Sequence, residues 1–93
     1  MTYYNYVSEM QQLCFRATQA LDGLGKIGTQ DFYAAAEVGF AKLLEDANSK
    51  PVSEISHQIT KDQADTLNST REFVAQQEEQ AAWACRCKEA RNG

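Results

Sequence analysis

Seven apolar side chains stand at alternating intervals of four and three along the first quarter of the chain: Tyr3, Val7, Met10, Cys14, Ala17, Leu21 and Leu24. At 3.6 residues per turn this spacing keeps all of them on one side of an α-helix, whereas a strand would scatter them over two faces. The pattern predicts a helix over residues 3–22, with Tyr6, Leu13 and Ala20 widening its stripe. A seam this long has to be covered by something, and another helix is the simplest cover.

Gly23, Gly25 and Gly28 arrive within six positions and predict a turn, because glycine's backbone freedom is poorly used inside a helix. Thr29 is the expected N-cap of a second helix over 30–47, with Asp31 in its first turn. Tyr33, Ala36, Phe40, Leu43 and Ala47 carry its stripe, and Phe32 and Leu44 lie beside it. Asn48-Ser49-Lys50-Pro51 ends it, since proline disfavours a helical residue before it. The first two helices are therefore expected to form an antiparallel hairpin.

A third helix over 53–90, capped by Ser53, carries Val52, Ile55 and Ile59 at its start and Phe73 and Val74 farther on, with a polar middle around Asp62, Gln63, Thr66 and Thr70. Unbroken, it is roughly 55 Å long at about 1.5 Å per residue, too long for its partners to cover. Either it breaks near Ser69-Thr70-Arg71-Glu72, which has the form of a capping box, or it projects and pairs with another copy of the chain. Residues 88–93 are expected to fray. The fold class that follows is all-α: one domain of coiled-coil-like helices, a hairpin plus a long third helix.

With 93 residues and a net charge of −4, the chain holds a thin core. Leu, Ile, Val and Phe together number 17, against 13 Ala and 9 Gln, which favours helices that associate over a self-sufficient globule. The acidic balance and scattered basic residues argue against nucleic acid, whose binding needs clustered Lys and Arg. No stretch is long and apolar enough for a transmembrane segment, and the start does not read as a signal peptide, so the expected location is cytoplasmic. Three cysteines, an odd number, fit a reducing compartment.

Motifs that would carry chemistry lack their contexts. Gly23-Leu24-Gly25-Lys26-Ile27-Gly28 spells a dinucleotide-binding string, but it follows a helix rather than a strand and reads as an interhelical loop. Cys85-x-Cys87 with Cys14 falls short of the four regularly spaced ligands of a structural zinc site. His57, the sole histidine, reads as a solvated helix residue with no nucleophile or acid in register. The expectation is a non-enzyme without metal or cofactor, acting through its surface. The start of the chain supplies Tyr3 and Tyr6 to that surface, Phe15 stands off the first stripe, and Trp83 poses the same exposed ring near the far end.

Phe32-Tyr33-Ala34-Ala35-Ala36, Phe40-Ala41-Lys42-Leu43-Leu44, the connection Asn48-Ser49-Lys50-Pro51-Val52-Ser53-Glu54, and a Gln- and Thr-bearing helix over 58–77 follow one another in order. Over about residues 5–80 this layout resembles the phasins, small proteins that coat polyhydroxyalkanoate storage granules. The glycine-rich turn and the Cys85-Arg86-Cys87-Lys88 tail are not part of the likeness. The resemblance implies a non-enzymatic protein that adsorbs to a hydrophobic polyester surface through amphipathic helices and self-associates as a homo-oligomer. The residues it implies at that surface are those of the stripes: Val7, Met10, Leu13, Leu21, Phe40, Leu43, Leu44, Ile55, Ile59, Phe73 and Val74. A second expectation is a small helical binding module, such as a phage or mobile-element inhibitor or an adaptor. It would present the Tyr-rich start and the uncovered part of the third helix to one protein partner.

Overall fold

The structure, a computed structural model, describes residues 1–92, with side chains described as far as residue 84. The chain is all-α. Helix α1 (Tyr3–Leu24) and α2 (Ile27–Asn48) form the antiparallel hairpin, α3 (Val52–Ile55) is a single turn, and α4 (Lys61–Asn92) runs back alongside α1.

Each boundary has a local cause. Thr2 is extended and its hydroxyl accepts from the Asn5 amide at 3.3 Å, which caps α1. At the other end Gly25 takes the left-handed conformation (φ 71°), its N–H donates to the Asp22 carbonyl, and the Lys26 N–H donates to the Leu21 carbonyl. This pair of bonds is a Schellman motif, and it satisfies carbonyls that the helix end would otherwise leave open. Of the clustered glycines only Gly25 makes the turn. Gly23 is still helical, and a Cβ there would lie 3.9 Å from that of Ala81, so α1 and α4 approach closely at this level. Gly28 belongs to the first turn of α2, which starts earlier than the sequence predicts. Thr29 is consequently inside the helix; Lys26 occupies the N-cap and no side chain caps it.

The third helix of the sequence reading is broken, but not at Ser69. Pro51, rather than Ser53, is the N-cap of α3, and the helix ends after Ile55. Residues 56–60 then pass the N-terminus: the Tyr3 N–H donates to the His57 carbonyl at 2.8 Å and the Ile59 N–H to the Met1 carbonyl at 3.1 Å. Thr60 and Gln63 close a reciprocal capping box, each amide bonded to the other's side chain, and α4 begins. Ser69–Glu72 lies inside α4, where Thr70 donates its hydroxyl to the Thr66 carbonyl. Two capping boxes competed for the break. At 56–60 the freed His57 carbonyl and Ile59 amide find partners on the first residues of the chain, whereas a break at 69 would separate Leu67 from Val74, which are buried in one core.

Helix α1 is the central element. It packs along both α2 and α4, and the buried side chains are almost all its own: Tyr6, Val7, Met10, Leu13, Cys14, Ala17, Ala20 and Leu21, joined by Leu67 and Val74 of α4. Two ion pairs fix the α1–α4 register, Arg71 with Glu9 (2.6 and 2.7 Å) and Arg16 with Glu78. At 32 residues against 22, α4 is about 48 Å long to about 33 Å for α1, and it continues past the α1–α2 turn. The molecule extends 56 Å along its long axis and 22 Å and 20 Å across.

Candidate interaction surface on the second helix

Burial divides the sequence-predicted surface residues into three groups. Tyr6, Val7, Met10, Leu13, Leu21 and Val74 are interior, which corrects their placement on a surface: they are the seam that α1 closes against its neighbours. Tyr3, Phe40, Leu44, Ile59 and Phe73 are half-buried against that core, and Ile55 is half-buried in α3. Phe15, Leu43 and Trp83 are exposed. The Tyr-rich start is thus largely consumed by the fold. Tyr3 stacks on the His57 ring at 4.9 Å, and His57 lies between α3 and α4 rather than on a helix, with Nδ1 2.9 Å from the Glu54 carbonyl oxygen.

Helix α2 departs most from expectation. It is the most apolar of the three long helices, yet Ala47 is its only buried residue. Two stripes run along it side by side. The inner one, Tyr33, Phe40 and Leu44, packs on the core, and Tyr33 stacks on Phe73 of α4 at 5.2 Å. The outer one, Phe32, Ala36, Gly39 and Leu43, repeats the spacing of four and three and is largely open: Phe32 is 67% exposed and Leu43 42%, Gly39 is exposed and Ala36 is half-buried. Periodicity alone puts Leu43 in the seam and Leu44 beside it; in the structure Leu44 packs on the core and Leu43 is exposed.

The outer stripe borders an apolar depression of about 230 Å³ lined by Ala36, Gly39, Phe40 and Leu43. A second, more polar groove of about 440 Å³ is lined by Tyr33 of α2 and by Asp65, Thr66, Ser69, Thr70 and Phe73 of α4. Sequence reasoning missed Phe32, and it missed exposed Ile27, Val38 and Val52 as well. The available signal was an excess: α2 holds more apolar positions than one helix–helix seam can use.

The Cys14 thiol is buried and pushed up from its ordinary range by that burial, with Glu37 adding to the effect, so thiolate is disfavoured. Tyr6 and Tyr33 are raised in the same way, chiefly by burial. Glu78 is lowered because the Arg16 guanidinium hydrogen-bonds its charged form. Among the described residues no three His, Cys, Asp or Glu side chains converge on a metal position, and the side chains of Cys85 and Cys87 lie outside that set. No helix among the described residues is long and apolar enough to cross a membrane. Comparison with family models, with curated proteins and with solved structures returns no match for this chain.

Proposed function

We propose that the protein is a non-enzymatic, phasin-like coat protein that adsorbs to an apolar polyester surface through the outer face of α2. One observation carries the reading: the most apolar of the long helices has a single buried residue, and it leaves Phe32 and Leu43 exposed along one stripe, with Ile27 and Val38 exposed elsewhere around it. A stripe of this kind, apolar from Phe32 to Leu43 with charged residues only on its flank, suits an apolar surface that is recognised by area rather than by hydrogen-bond geometry. The burial of α1 supports a division of labour in which α1 and α4 hold the fold while α2 makes contact. The net charge of −4 keeps coated particles apart.

Co-sedimentation with polyhydroxyalkanoate particles tests this, with hydrophilic particles of the same size as control. The expected result is saturable depletion of the protein from solution by the polyester alone. Equal partition to both particles, or none to either, refutes the proposal. Selective capture of one protein at fixed stoichiometry, without adsorption to polyester, favours the binding-module alternative.

A further inference from the structure

The outer stripe of α2 has an internal symmetry that an amphipathic surface helix does not require. Phe32, Ala36, Gly39 and Leu43 are placed evenly about a midpoint between Glu37 and Val38, large side chains outside and small ones inside. If a second α2 is laid against the first antiparallel, with the two-fold axis at that midpoint, Phe32 of one copy meets Leu43 of the other. Ala36 then meets Gly39, where the helices cross. Ala36 and Gly39 border the apolar depression, and a Cβ built on Gly39 touches nothing, so the space for close approach exists.

The charges follow the same symmetry. At about 100° per residue, Asp31 and Lys42 lie on one edge of the stripe, three turns apart. A two-fold axis brings Asp31 of one copy within about 3 Å, measured along the axis, of Lys42 of the other, and does so twice. Asp46 lies on this edge too, and it comes level with the first turn of the opposite α2. That turn has no side-chain cap and is open at Gly28. A carboxylate there is favoured by the unbonded amides and the helix dipole.

We infer that α2 pairs antiparallel with α2 of a second copy, through Phe32, Ala36, Gly39 and Leu43, with Asp31–Lys42 ion pairs on its edge. The pairing occupies the face that the surface reading uses, and it rests on that face rather than on the polyester. Dimer formation and adsorption therefore compete. The short contact belongs with the small, reversible interfaces, so dimerisation depends on protein concentration.

Sedimentation equilibrium of the full chain with reductant tests the pairing. The mass is expected to rise from 10.4 kDa at low concentration toward twice that value. Asp31→Lys and Lys42→Asp are each expected to weaken the dimer about fivefold or more, and the double variant to restore it. Gly39→Leu, which keeps the helix but fills the crossing point, abolishes it. A single-chain mass at every concentration overturns the pairing, as does a dimer indifferent to Gly39→Leu or a charge swap that restores nothing. Particle adsorption separates this result from the fate of the coat reading. A monomer that adsorbs sinks the pairing alone; a dimer that obeys the charge swap but ignores polyester sinks the coat reading alone.

Discussion

Replacing Phe32 by alanine separates folding from contact. The ring is 67% exposed. A phenylalanine side chain presents on the order of 200 Å², so roughly 130 Å² of it faces outward, worth about 3 kcal/mol at about 25 cal/mol per Å² if a surface covers it fully. Alanine retains part of that, leaving a loss of about 2 kcal/mol, or about 30-fold in the adsorption constant. Folding should barely notice, because the ring gives the core little and alanine is the better helix former by about 0.5 kcal/mol. The contrast is Leu21→Ala, where a fully buried side chain at 0% exposure is removed at a cost of about 2–5 kcal/mol. Urea unfolding and particle adsorption, measured on both variants, give the two axes. The reasoning fails if Phe32→Ala lowers stability by more than about 1 kcal/mol, or leaves adsorption unchanged while Leu21→Ala leaves the protein folded and non-adsorbing.

Three further outcomes test the framework that holds α2 in place. Gly25→Ala forces a Cβ into the left-handed region at φ 71° and should cost about 1 kcal/mol of unfolding free energy, read from the urea midpoint. Thr60→Ala removes one half of the capping box at the start of α4 and should cost about 1 kcal/mol, with faster amide hydrogen exchange confined to residues near 60–64. Glu78→Gln tests the pH dependence. The folded carboxyl titrates below its ordinary 4.5 because Arg16 hydrogen-bonds the charged form, so its contribution is complete above that value and lost as pH falls through the folded value. The pair is partly exposed, and the contribution is at most about 1 kcal/mol. Wild-type and variant stability should differ by that amount at neutral pH and converge on acidification.

The sequence by itself determined the helices and the stops that have a chemical spelling. The spacing from Tyr3 to Leu24 leaves no alternative to a one-sided helix, and Pro51 cannot be passed by a continuing one. Glycine clustering located the turn to within a few residues, although only the backbone shows that Gly25 alone takes the left-handed conformation. Tertiary structure decided what local signals leave degenerate. Thr60-x-x-Gln63 and Ser69-x-x-Glu72 spell the same kind of cap, and the choice fell to 60 because Met1, Thr2 and Tyr3 stand where the intervening backbone needs partners. The division of α2 was equally invisible: Leu43 and Leu44 are adjacent letters of the same kind, and a rotation of about 100° turns one against the core and the other outward. Periodicity reports that a helix has an apolar face, but how wide a strip its neighbours cover depends on where their axes lie. Here α1 takes both partners onto its own seam, and the outer stripe of α2 is what remains.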